Sequence, residues 1–464
     1  MPTRSILFTN NALASRGGSE MYIRDVALAL LRRGHRPIAF SLLLGQTADE
    51  LRRATVPVID DLARLGSPPD VIHGHHHLET LIAALTFPET PVVHFCHGWV
   101  PWEEMPLRHP SVARYVAVDE VCLDRLVREE GIAPDRIDLL HNFVDLDRFQ
   151  PRGRLPSTPQ RALIYSNYAT ADGYARIIAA ACATAGIALE IVGHACGNST
   201  GTPEALLQHY DLVFAKGRAA LEALTVGCAV ILADAAGSGP LVTSANFDRL
   251  RSRNFGIREL QNPHDAGWYR REIGAYSADD AACVSAHARS LAGLEPAVDR
   301  LLAIYAAAMA SPRQTAGAAQ AAGRHLARIA RPLKEAWHLA NVTRDLARDL
   351  ELARSERDAT TQALAEAAAR AERDAQVRAR LDAGGTELAT TLAALQVRFA
   401  TAERELDAAR TRAANLEAEA AAIRSLPTLR LRDALLRVPV IGPLVQIGAR
   451  RCAHALHRFG LTAR

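Results

Sequence analysis

Residues 211–231 read DLVFAKGRAALEALTVGCAVI: an apolar run ending at Ala215, a Lys-Gly-Arg loop, an amphipathic stretch stopped by Gly227, and a second apolar run. Strand, helix and strand in so short a span make a βα unit of a parallel sheet. The alternation extends outward. Strands are predicted at 162–166 and 188–193, with a helix between them at 173–185. Upstream, strands at 5–9, 36–43, 71–73, 91–97 and 114–118 accompany a helix at 20–33 that Gly34 ends. The two series part at Pro151, which predicts an α/β chain with two Rossmann-like domains, 1–150 and 151–311.

The 464 residues are 49% apolar and 23% charged, which excludes a wholly disordered chain. With 54 basic against 51 acidic residues the net charge is +3, too balanced for a dedicated nucleic-acid binder. Seven cysteines lie scattered with no C-x-x-C pair, which fits a reducing compartment. The opening MPTRSILFTNN reads as a strand rather than a signal peptide, and no run of about 18 apolar residues marks a spanning helix. A cytoplasmic protein, peripheral on the inner membrane face, is the expectation. Lysine occurs only at Lys216 and Lys334, so the other 52 basic residues are arginine.

Past residue 311 the composition turns to Ala, Arg, Glu and Leu, and a helical stalk is predicted over 312–424. From Leu388 to Ile423 apolar residues recur by fours and threes, a coiled-coil seam that predicts self-association. Gly384-Gly385 breaks the stalk. The tail, 425–464, sets seven arginines against Asp433 among leucines and valines, a pattern that suits an anionic membrane surface.

Four clusters carry the chemistry. Gly17-Gly18 precedes a helix, where small residues let a ligand approach free N–H groups, although a turn alone explains the pair as well. His97 ends a strand at the head of a loop with Trp99, a place where such folds build sites. In HGHHH, at 73–77, alternate members His73, His75 and His77 share one strand face, but no partner stands at a zinc spacing, so a metal is not expected. Lys216, Gly217 and Arg218 form an electropositive loop suited to a diphosphate, with Glu222 placed to accept from a ribose diol.

These features resemble the GT-B glycosyltransferases of family 4, retaining enzymes that use nucleotide-sugar donors. The likeness covers about 5–310 and rests on GGSE at 17–20, HFCHG at 94–98, YVAVDE at 115–120, HNFVDLDRF at 141–149 and the 216–227 block. It implies a cleft between the domains, with Gly18 near the donor diphosphate, His97 near the transferred sugar, Glu222 on the ribose, and Asn142 where the chain crosses. Asn167 is placed with Trp99 and Asn142 as cleft lining. No cofactor or metal is implied, because the nucleotide sugar is a substrate and protein cations offset its phosphates. The acceptor expected is a glycan or lipid-linked molecule of envelope assembly. Two departures stand out: Phe214 occupies the place of the family's first glutamate, and the Arg/Lys pair after the second domain's first strand is missing from IYSNYATADGY. They keep two rivals open, a catalytically silent GT-B scaffold and a nucleotide-sugar epimerase.

Overall fold

The computed structural model describes residues 2–99, 102–381 and 389–425. It divides into two compact units, Met1–His325 and Leu326–Arg464. The first unit holds two sheets. One contains β1 Ser5–Thr9, β2 Arg36–Phe40, β3 Val58–Ile59, β4 Val71–His75, β5 Val92–Cys96, β6 Val112–Ala117 and β7 Ile137–Leu139, in the order β3-β2-β1-β4-β5-β6-β7, all parallel. The other contains β8 Arg161–Tyr165, β9 Ala188–Val192, β10 Leu212–Ala215, β11 Ala229–Asp234 and β12 Gly237–Leu241, in the order β12-β11-β10-β8-β9. Strand order reverses between β1 and β4 and between β8 and β10, the crevices where doubly wound sheets take ligands.

Both sheets are apolar on both faces, which is why their strands read as continuous runs rather than alternations. Ile6 and Phe8 enter one core layer and Leu7 the opposite one. In β10, Val213 and Ala215 point to one layer while Leu212 and Phe214 point to the other. Phe214 lies inside the strand, fully buried, with its ring edge-on to Tyr269 at 5.7 Å between centroids. The position eight residues before Glu222 is therefore a core position in this chain.

Three strands have no reading in the sequence. β3 and β7 are short edge strands, and β12 is GSGPL, a composition that argues against a strand. It pairs antiparallel with β11 at the sheet edge, where its proline is tolerated. Gly237 there has φ +153°, and a Cβ on it would meet Leu260 O at 2.6 Å.

The chain crosses between the sheets twice, and the crossings are bonded together. Val144 N–H donates to Ala292 O at 2.7 Å and Leu294 N–H to Val144 O at 3.0 Å. The helix Leu294–Ala310 lies within the span read as the second domain, yet it packs on the first sheet. Leu294, Val298, Leu301, Tyr305 and Ala308, spaced by fours and threes, join the core of Phe8 and Val26.

In the second unit, Arg354 pairs with Glu417 at 3.4 Å and Arg412 with Glu356 at 3.8 Å. Later residues of the helix Ala389–Ser425 thus meet earlier ones of Ala318–Leu381, an antiparallel hairpin. Leu406, Ala409 and Ala413 of the heptad seam are buried, so part of the stripe read as a self-association surface is covered within one chain. Gly384-Gly385 and the basic tail lie outside the described residues. Among the described residues no helix is long and apolar enough to cross a membrane.

Replacing Leu301, fully buried in the first core, by Ala should cost about 2–5 kcal/mol. A urea midpoint equal to that of the parent chain would show that the returning helix does not support the first sheet.

Candidate active site

On the first domain, the loop after β1 and the ends of β4 and β5 meet at the strand-order reversal. Gly17 caps the helix Gly18–Arg32 without any side-chain hydrogen bond. A Cβ on Gly17 would collide with the Glu20 carboxylate, whereas Gly18 faces open space. Glu20 is buried and its pKa is raised by that burial, with Ser19 donating to it at 2.9 Å.

The histidines divide into three groups. His73 and His75 share a face of β4, and His97 follows β5. His73 Nε2 lies 2.8 Å from His75 Nε2, which lies 2.9 Å from His97 Nε2. His73 Nδ1 is hydrogen-bonded to the Tyr305 hydroxyl. His77 departs from the expected alternation because His76, at φ +59°, turns the chain into a helix. His77 instead bonds His325 at 2.8 Å and sits edge-on to Trp102. His76 accepts from Asn11 N–H at 3.2 Å and faces Glu104 at 3.4 Å. Burial opposes the charge on Glu104, but His76, His97 and the His97 N–H at 3.1 Å hold its pKa down at about 2. Among the described residues, no set of His, Cys, Asp and Glu is grouped to hold a metal ion.

On the second domain, Lys216 reaches from the end of β10 to Asp234 at the end of β11, with its ammonium 5.4 Å from the Tyr168 ring. Ser166 Oγ, after β8, donates to the same Asp234 carboxylate at 3.2 Å. Gly217 opens the helix Gly217–Val226 at φ +58°, and its N–H donates to Phe255 O at 3.0 Å. Asn167 accepts from His194 N–H at 3.2 Å, and Asn142 donates to Asn254 at 2.9 Å across the crossing. Trp99 is partly exposed under the Arg258 guanidinium, 5.2 Å from its ring centre.

Arg218 is held differently from its loop neighbours. Its guanidinium bonds Glu222 at 2.9 Å and pairs with Asp25 of the first domain. Asp25 is fully buried and also meets Arg24 at 2.8 Å and Arg148 at 3.4 Å, while Arg148 continues to Glu204 at 2.9 Å. Arg218 thus serves as an ionic link between the domains and orients Glu222. Burial raises the Glu222 pKa against the pull of Arg218 and Arg148. Asp25 was not a sequence candidate, although an acid flanked by Tyr22, Ile23, Val26 and Ala27 on the buried face of a helix was a legible signal. Asp234 and Tyr305, ending a strand and inside an apolar helix, gave no such signal.

The model of Glycosyltransferase Family 4 matches residues 16–148, the stretch carrying Gly17, Asp25 and the histidines. The architecture is similar to a glycosyltransferase from Rickettsia africae ESF-5, at 15% identity and a TM-score of 0.51, over 67% of this chain and 100% of that one. Residues 16–148 thus match a glycosyltransferase family, and the two facing sheets have the GT-B architecture. The chain is also similar to HepE of Anabaena in complex with UDP and glucose, at 14% identity and a TM-score of 0.50, over 65% and 98% of the two chains. No curated protein matches the sequence.

Buried titratable groups give this protein a defined acid response. Among the described residues nine histidines have lowered pKa values, each chiefly through burial, with His97 at about 4 and His94 at about 3. Five carboxyls are raised, also chiefly by burial, with Glu79 and Glu103 at about 7. Below about pH 6.5 the unfolded chain takes up histidine protons that the folded chain refuses, so stability falls with pH. The raised carboxyls act in the opposite sense, because above about pH 4.5 the folded state holds their protons more tightly. His76, raised by Glu104 against its burial, acts with the carboxyls, and nine groups against six leaves a net loss on going from about pH 6.5 to 4.5, read as a lower urea midpoint. An equal or higher midpoint at the acid end would contradict neutral burial of these rings.

Proposed function

We propose that this protein is a glycosyltransferase that moves a sugar from a nucleotide-sugar donor to a glycan or lipid-linked acceptor with retention, in envelope polysaccharide or glycoconjugate assembly. One observation carries the donor site. The strand-order reversals of the two domains are brought together by Arg218 and Asp25, so the open N-terminus at Gly18 and the Lys216-Gly217 loop address one cleft. The donor's diphosphate sits against Lys216 and the two helix starts, whose N–H groups and dipoles favour an anion. Charge that develops on the leaving phosphate is offset by these fixed groups, which asks for no metal. Glu222 accepts from the ribose diol, and its bond to Arg218 fixes the direction of the carboxylate. His97 lies beside the sugar, and Trp99, Asn142 and Asn167 line the approaches. HepE was solved with UDP and glucose, which makes UDP-glucose the first donor to try.

The exposed part of the Lys216 side chain is what separates this reading from a silent scaffold, since Arg218 is already paired with both Asp25 and Glu222. Titration calorimetry of the full chain with UDP, GDP, ADP and their sugar conjugates should find one base preferred. Lys216→Ala should weaken that binding about tenfold, the loss of one charge-assisted contact, and Glu222→Gln should weaken it too. Unchanged affinity in both variants would move the donor elsewhere. A full chain that binds no nucleotide would favour the silent scaffold.

The basic tail, 425–464, holds the enzyme at an anionic membrane surface in this proposal, through arginines set among apolar residues. Co-sedimentation with phosphatidylglycerol-containing vesicles should be lost on truncation after residue 424 and should weaken with salt. Binding that ignores both salt and truncation would refute this anchoring.

A further inference from the structure

His97 is the partly exposed end of a chain of buried rings. His73 and His75 have no exposed surface and Tyr305 only 1%. The links run from the Tyr305 hydroxyl to His73 Nδ1, from His73 Nε2 to His75 Nε2 at 2.8 Å, and from His75 Nε2 to His97 Nε2 at 2.9 Å. Neutral imidazole carries one N–H and one lone pair, so each link constrains the next. His75 Nε2 faces two neighbours with a single site, and its Nδ1 is buried without a partner.

Two proton arrangements fit these contacts. If Tyr305 donates to His73, then His73 donates from Nε2 to the lone pair of His75, and His97 donates from Nε2 to the same lone pair. One buried group is then unmatched, the His75 Nδ1–H. If Tyr305 accepts instead, every proton is reversed and two groups are unmatched, the Tyr305 hydroxyl hydrogen and the His75 Nδ1 lone pair. An unmet buried donor or acceptor costs on the order of 1–3 kcal/mol, so the arrangement with fewer is preferred. Protonated rings are disfavoured throughout the chain, because burial lowers the pKa of all three histidines.

We propose that Tyr305, His73 and His75 are positioning residues that hold His97 as the tautomer protonated on Nε2, so that Nδ1 meets the cleft as an acceptor for a hydroxyl of the transferred sugar. This rests on the reading that puts His97 beside that sugar. A histidine fixed as acceptor selects a sugar with a hydroxyl hydrogen at that point and disfavours its deoxy or O-methyl analogue. The tyrosine at the far end belongs to the helix Leu294–Ala310, so the second domain's returning segment sets the protonation of a first-domain side chain.

The test uses the full chain labelled with 15N-histidine, with His97 assigned by loss of its signals in His97→Gln. Long-range proton–nitrogen correlations should show His97 protonated on Nε2 and bare on Nδ1. Tyr305→Phe, which removes one oxygen, should shift His97 towards the other tautomer and lower kcat/KM about fivefold, with affinity for the sugar-free nucleotide within about twofold. His75→Gln should do the same, and either variant suffices if the other fails to fold. His97 protonated on Nδ1 in the parent chain would overturn the proposal, as would an unchanged tautomer in both variants. The expected tautomers in a chain that turns over no nucleotide sugar would leave the relay standing and remove the transfer reading instead.

Discussion

The arrangement depends on a carboxylate that has no access to water. Asp25 projects from the first domain's opening helix and meets three arginines, one on its own helix, one from the crossing segment and one from the second domain. Removing a charge from water costs several kcal/mol even after relaxation, so Asp25 is tolerated only with its partners in place. Each partner comes from a different part of the fold. Satisfying Asp25 therefore requires the two domains and their connection to adopt one relative placement, a constraint that apolar packing between smooth surfaces would not impose. The same pairing holds Arg218, in the loop that also carries Lys216, against the first domain. Its charge is already divided between Asp25 and Glu222, while Lys216 has a single carboxylate partner and remains partly exposed.

Much of this architecture is legible in the sequence because parallel strands buried on both faces are written as unbroken apolar runs. β1, β5, β8, β10 and β11 follow that rule, and the helix between β10 and β11 ends where Gly227 takes a left-handed conformation. What escapes is what edges and returns permit. β12 contains two glycines and a proline, and its place as a strand comes from the neighbouring β11 rather than from its own propensity. The helix Leu294–Ala310 shows a clear period in sequence, but no period says which sheet it will cover. That assignment is made by the crossing at Val144 and Gly293, a tertiary contact.

Side chains of the site were legible in a similar, partial way. His97 and Lys216 stand at strand ends, and Gly17 and Gly18 at a helix start, where local order reveals them. Their partners do not: Asp234 lies at the end of an ordinary buried strand, and Tyr305 reads as one more apolar residue on a helix. Arg218 shows the limit most clearly. Its position beside Lys216 suggests a phosphate ligand, and only the three-dimensional fold brings Asp25 against it.

The run of histidines illustrates how burial turns composition into chemistry. Five neighbouring residues, HGHHH, sit at a strand-to-helix junction, and one left-handed residue at His76 sends them to three different surroundings. His73 and His75 keep the strand's alternation and meet His97. His76 turns to Glu104, the carboxylate that also holds the His97 backbone, and His77 joins a separate pair with His325. Because burial keeps the rings on the His97 side neutral, they transmit direction through donor and acceptor roles rather than through charge. His97, supported in this way, is constrained at its Nε2 by His75 and at its backbone by Glu104. The rotational freedom of an exposed imidazole is thus already removed in the folded chain.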